Sequence, residues 1–194
     1  REHDATGFFP GPGTFAHGVH PPQRKSLAAD APIEIIPTPE KILLPLQQHI
    51  GGPCTPLVKA RQEVVFGEMI GKGEAFISAP IHAPVSGVIN KPETVTLANG
   101  RHLQAIAIKV EGEQLDGQTL WDKMFGGKWP QKTYQTLAPE IISKAIHNAG
   151  IVGLGGAAFP THVKITPNDQ KPIEILMVNG CECEPYLTTD YRVM

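Results

Sequence analysis

Between Leu43 and Gly112 the apolar residues never run on for long. They come in stretches of two to eight, at 57–58, 63–66, 75–77, 85–90, 94–97 and 103–110, with glycine, proline or polar residues between them. Proline cannot donate to a helix or a central strand, and glycine supplies the backbone angles of tight turns, so this punctuation excludes long helices. The last stretch alternates, with Leu103, Ala105 and Ala107 on one side and Ile106, Ile108 and Val110 on the other. Alternation at period two is the mark of a strand. The segment is predicted to form five or six short strands in a small sandwich or barrel.

The rest of the chain reads differently. Residues 1–37 are rich in proline, glycine and histidine, with one short β-like run at 33–36, and read as an extended arm. The sandwich is placed at 38–112, and 113–135, with Trp121, Trp129 and the Gly126-Gly127 break, as a connector. One strong helix is predicted over Pro139–Asn148. Pro139 suits its first turn, Glu140 suits the positive end of the dipole, and Gly150 suits a left-handed cap. Ile141, Ile142, Ala145, Ile146 and Ala149 form its apolar stripe. The run 173–178 reads as a buried strand ending at Asn179-Gly180. Helix, glycine loop, strand and polar loop open an α/β domain at 136–194 that stops, at Met194, before it is complete. Arg1 stands where a start methionine is expected, so the natural start is placed upstream.

Composition excludes several classes. Seventeen basic against nineteen acidic residues give a formal charge of −2, with no basic stripe for nucleic acid or an anionic membrane surface. No segment approaches the ~20 apolar residues of a membrane span, and no export signal is visible. Three cysteines, an odd number, make no disulfide framework, which suggests a reducing, cytoplasmic setting.

Two loops carry chemistry. Residues 150–164 read GIVGLGGAAFPTHVK, in which Gly153, Gly155 and Ala158 fit the spacing G-x-G-x-x-A. A dinucleotide fold has that pattern after a strand, and here it follows a helix, so the match alone is weak. Glycines without Cβ atoms nevertheless let backbone N–H groups approach a phosphate or a flat ring. Pro160-Thr161 read as the first turn of a short helix, and Lys164 follows one turn on, within reach of the same anion. The competing reading is a helix cap and tight turn, with Lys164 in solvent. The second loop, from Asn179 to Tyr186, brings Glu182 and Glu184 to the carboxyl end of the expected strand. There carboxylates can accept hydrogen bonds from a ribose or a carboxamide. Cys181 and Cys183, two apart, cannot complete a metal site alone, and His17 and His20 lack partners, so no metal is assigned.

These segments resemble known families. Residues 63–89, with His82-Ala83-Pro84-Val85-Ser86-Gly87, resemble the lipoyl/biotinyl-carrier fold. The hairpin tip at 73–79 contains no lysine for a swinging arm, and Lys72 lies before it, so the domain reads as unmodified. The opening motif Phe15-Ala16-His17-Gly18-Val19-His20-Pro21-Pro22 with Lys25, the segment 45–51, and both loops together resemble the RnfC component of the Rnf membrane-bound electron-transport complex. The flavin region is similar to the NADH-oxidising flavoprotein subunit of respiratory complex I.

The resemblance implies an α+β chain. A lipoyl-like barrel-sandwich is followed by the truncated start of an FMN- and NADH-binding α/β domain. It implies that Gly153, Gly155, Gly156, Lys164 and Asn179 contact FMN, and that Glu182 and Glu184 border the flavin and nicotinamide pocket. Ala158, Cys181 and Leu154 depart from the family patterns. The implied activity is hydride exchange between NAD(H) and FMN, with electrons passed to two [4Fe–4S] clusters. Their cysteine runs do not occur in this sequence. Other Rnf subunits and ferredoxin are the implied partners, on the cytoplasmic face of the bacterial inner membrane. A flavin-dependent cobalamin reductase of a microcompartment, or a non-enzymatic carrier or assembly domain, is the alternative.

Overall fold

The computed structural model describes residues 22–32, 34, 36–115, 117–125, 136–154, 156–166, 173–180, 182 and 184–193. The chain divides into two compact units, one running from Ile35 to Pro172 and the other joining Arg1–Glu34 to Ile173–Met194.

Among the described residues the larger unit holds eight strands, β1 (Lys41–Pro45), β2 (Thr55–Pro56), β3 (Glu63–Val64), β4 (Met69–Lys72), β5 (Ile81–His82), β6 (Gly87–Ile89), β7 (Glu93–Thr96) and β8 (His102–Val110). They form two open antiparallel sheets. One has the order β1-β8-β6-β3 with β7 on the first half of β8, and the other has the order β2-β4-β5. The long alternating stretch becomes the organising strand: β8 pairs β1 from Lys41↔Lys109 to Pro45↔Ala105, and β6 through Gly87↔Val110. Four consecutive β8 residues, Ala105 to Ile108, are buried, so both faces of the strand are covered. Ile70 and Ile108 are fully buried, and their cluster draws residues from both sheets, with Val64, Ile81, Ile89 and Ile106 around them. Burying a side chain of that size contributes about 1.5–3 kcal/mol. The glycine of the Ala-Pro-x-x-Gly turn has a direct cause: a Cβ on Gly87 would collide with the Lys109 carbonyl across the β6–β8 pair.

Three differences from the sequence expectation matter. Residues 75–77 form the bend of the β4–β5 loop and not a strand, because the Ser78 hydroxyl donates to the Ala75 carbonyl (2.6 Å) and closes a turn. The stretch 113–135 contains helix α1 (Gly117–Phe125), held to the sandwich by Lys123 lying 5.7 Å from the Phe66 ring centroid. Trp129 and the Gly126-Gly127 break fall outside the described residues. The expected buried strand at 173–178 is no strand at all: Leu176 and Met177 are each 86% exposed. Backbone N–H and C=O groups form a strand only where a neighbour takes them, and among the described residues none does.

Helix α2 (Pro139–Asn148) forms as expected, with Pro139 at its first turn and Gly150 beyond its cap at φ +70°. A five-residue helix α3 (Thr161–Ile165) follows the glycine loop. In the smaller unit a 3₁₀ turn at Lys25–Leu27 and helix α4 (Thr189–Val193) are described, while Ile33 and Ile35 of the expected β-like run fall outside. No helix among the described residues is long and apolar enough to cross a membrane.

Candidate functional site

The glycine loop begins where α2 ends. Gly150 donates to the His147 carbonyl (2.9 Å), and its Cα lies so near the sandwich that a Cβ would meet the Pro80 carbonyl at 2.5 Å. The chain then pinches into an antiparallel bridge between Val152 and Pro160, with Gly153 N–H donating to the Phe159 carbonyl (2.9 Å). Between those points the backbone bows outward. Leu154 is 95% exposed, and a Cβ on Gly156 (φ +102°) would meet nothing within 4 Å. The Ile50 N–H donates to the Ala158 carbonyl (3.2 Å), which ties the far side of the loop to the sandwich.

Lys164 reaches back from α3. Its ammonium lies 5.9 Å from the Phe159 ring centroid and 2.9 Å from where a Cβ on Gly153 would stand. Gly153 and Lys164 are therefore side by side, Gly156 lies on the open outer side of the loop, and Gly155 lies outside the described residues. Helix α3 is too short to present a helix dipole, so attraction for an anion rests on the Lys164 charge and the loop N–H groups.

Beneath the loop is a cavity of about 450 Å³, shared with the sandwich residues His49, Pro80 and His82. Its size lies within the ~300–1,000 Å³ usual for a small-molecule or cofactor site. Buried His49 sits at its edge, where Nε2 lies 3.0 Å from the Gly52 carbonyl and 3.2 Å from the Ala79 N–H. One nitrogen serves only one of these at a time, according to tautomer. The Lys164 cation seated against Gly153, where any side chain would displace it, and the open side at Gly156 are compatible with an anionic ligand such as a phosphate.

A second cavity, of about 720 Å³, separates the β4–β5 loop from α2 and α3. Here Phe76, at the loop tip, meets buried His162 edge to face (6.4 Å between centroids), and His162 Nε2 lies 3.4 Å from the Phe76 carbonyl. The His147 ring stands edge-on to His162 at 4.3 Å. Burial and the neighbouring His162 hold His147 below its ordinary value of 6.5. The tip that holds a modified lysine in a carrier domain is here a docking point for the helices. Among the described residues no three His, Cys, Asp or Glu side chains group as a metal site.

In the smaller unit, Glu182 Oε1 accepts from the backbone N–H groups of Asp190 (2.7 Å) and Tyr191 (3.4 Å), capping α4. Glu184 and Asn179 are exposed, while Cys181 and Cys183 lie outside the described residues. Lys25 donates to the carbonyls of Glu184 (3.2 Å) and Leu187 (2.9 Å).

The family profile described as the RnfC barrel sandwich hybrid domain matches residues 13–113. The chain belongs to the RnfC family. A second profile, the Nuo51 FMN-binding domain, matches residues 146–194 of the same RnfC chain, beginning just ahead of the glycine loop. The chain is 40% identical to the RnfC protein of the Na⁺-translocating ferredoxin:NAD⁺ oxidoreductase complex of Acetobacterium woodii, over 94% of its own length and 39% of that protein. To the proton-translocating counterpart of Clostridium ljungdahlii it is also 40% identical, over 93% of its length and 38% of the relative. To the corresponding protein of the ion-translocating oxidoreductase complex of Rhodobacter capsulatus it is 42% identical, over 91% and 33%. It spans less than two-fifths of each. The fold is thus a mixed one, a barrel-sandwich hybrid followed by the start of an FMN-binding domain, and the matches do not favour the cobalamin reductase.

Sequence reading found the glycine loop of this RnfC chain but missed its floor. Nothing local marks His49, Pro80 and His82 as its neighbours, because they come from a different part of the chain. Only the clustering of proline and histidine at 80–84 hints that this surface does more than pack.

Proposed function

We propose that this chain forms part of the electron-input subunit of an ion-translocating ferredoxin:NAD⁺ oxidoreductase. FMN is held at the 150–164 loop, NAD(H) borders it, and electrons pass to two [4Fe–4S] clusters carried elsewhere in the full-length protein. The observation that carries the reading is one chain with an RnfC sandwich, then an FMN-binding match, then a glycine loop backed by a lysine. Residues 1–37 serve as an arm, 38–112 as an unmodified sandwich, 113–135 as a connector, and 136–194 as the opening of the flavin domain. The protein sits peripherally on the cytoplasmic face of the bacterial inner membrane, held by the other Rnf subunits. Relatives equally similar to the chain are named for Na⁺ and for protons, so identity over this region does not select the ion.

Each residue has a distinct role in this reading. Lys164 supplies a positive charge to the FMN phosphate, and the loop backbone at Gly155 and Gly156 approaches it because no Cβ intervenes, while Gly153, its own N–H held by the Phe159 carbonyl, leaves room for the ammonium. Asn179 is a further flavin contact. Glu184, exposed, accepts hydrogen bonds from the nicotinamide nucleotide, while Glu182, half-committed to α4, holds the loop that carries it. Bound FMN would supply the chemistry, exchanging hydride with NAD(H) and single electrons with the clusters.

The test is Gly153→Ala in the intact subunit. The new methyl makes ordinary contacts with the Phe159 backbone and collides only with the movable end of Lys164, so the fold survives while the ammonium is pushed away from the loop. Flavin content after desalting is expected to fall at least tenfold with the circular dichroism spectrum unchanged. Flavin retained at the wild-type level would return the loop to a plain turn.

A further inference from the structure

The N-terminal arm reaches the acidic loop through two consecutive residues. Arg24 N–H donates to the Pro185 carbonyl (3.0 Å), and the Lys25 ammonium donates to the Glu184 and Leu187 carbonyls (3.2 and 2.9 Å). Lys25 and Glu184 are 159 positions apart in sequence. Residues 184–187 form a turn of their own, closed by Leu187 N–H on the Glu184 carbonyl (3.3 Å). An ammonium has three donors and can bind several carbonyls at once, which a neutral side chain cannot do as well. On the other side, Glu182 fixes the loop to α4. The loop carrying both glutamates is pinned at each end, and Lys25 is one of the pins.

We propose that Lys25 is a positioning residue for dinucleotide binding: it fixes the 184–187 turn so that Glu184 meets NAD(H) in one conformation. This rests on the reading of the acidic loop given above. The 3₁₀ turn that carries Lys25 has no buried residue, so the sandwich core does not depend on it. The arm, which the sequence presents as a proline-rich leader, thereby belongs to the dinucleotide site.

The experiment compares wild type, Lys25→Met and Lys25→Arg in the intact subunit, by backbone hydrogen exchange and by NADH oxidation kinetics. In Lys25→Met, exchange across 184–191 is expected to rise at least tenfold. The KM for NADH should rise about fivefold or more, while kcat stays within twofold and flavin content is unchanged. Lys25→Arg, which keeps charge and donors, should restore both readouts to within about twofold. Unchanged exchange in Lys25→Met overturns the proposal directly. Faster exchange with an unchanged KM also overturns it, by separating this loop from the dinucleotide. A wild-type subunit without flavin or NADH oxidation would fail the proposed function instead, while the exchange arm still decides whether Lys25 pins the loop.

Discussion

Ala158 occupies left-handed backbone space at φ +48°, one of two non-glycine residues described with positive φ. For an L-residue that conformation costs roughly 1–2 kcal/mol, because Cβ crowds the carbonyl. Ala158→Gly is therefore expected to stabilise the larger unit by about 1 kcal/mol, less the chain entropy that a glycine adds to the unfolded state. A denaturant midpoint at or below that of wild type would show that the alanine is not strained. The departure was legible in the sequence as an alanine where a glycine is usual. Its angle was not, since φ is imposed by the bridge at Pro160 and the tether at Ile50. Cys54 gives a second residue-scale expectation. Burial raises its thiol above the ordinary value, and its sulfur lies 3.1 Å from the Ala79 carbonyl. Because the thiolate is the reactive form, alkylation of Cys54 at neutral pH should be at least a hundredfold slower in the native protein than in denaturant. Comparable rates would mean that the core opens readily.

At the scale of elements, the β4–β5 loop meets α2 and α3 at Phe76, His147 and His162. His147 is held below 6.5 by burial first and by His162 next, with the Lys72 charge adding to the effect. The unfolded chain, whose histidine keeps its ordinary value, then takes up a proton first as pH falls. Stability is at its full value above about pH 6.5 and declines as pH drops below it. His147→Gln should flatten that decline in thermal melts between pH 8 and 5, and an unchanged slope would place the titration elsewhere. None of this junction was readable from the sequence, because loop and helices lie far apart along the chain. Helix α2 was readable, since its proline, glutamate, apolar stripe and terminal glycine are all local signals. The strands were readable in number better than in place. β1, β2, β4 and β5 were missed because their residues carry no alternating pattern, and pairing across the sheet, not propensity, makes them strands.

For the whole molecule, the exposed run at 173–178 and the open glycine loop point to the same expectation. Leu176 and Met177 are almost wholly in solvent, and the sequence there has the apolar character of a central strand. The relatives named above are much longer than this chain, which spans at most 39% of any of the three. Expressed by itself, the 194-residue chain should fold its sandwich cooperatively, because the core cluster lies within residues 46–108. It should also bind a hydrophobic dye such as ANS, through the uncovered run, more than the intact subunit does. FMN should bind the isolated chain only weakly, at micromolar concentrations or above. Ligand sites enclose ~70–90% of the ligand surface, whereas the loop is open on its outer side at Gly156. Ordering further residues on binding would cost about 1–2 kcal/mol each. Titration followed by flavin fluorescence decides the matter. Saturable quenching at nanomolar FMN would mean that the loop, Lys164 and the sandwich floor form the whole site, and that the uncovered run at 173–178 serves something other than the flavin.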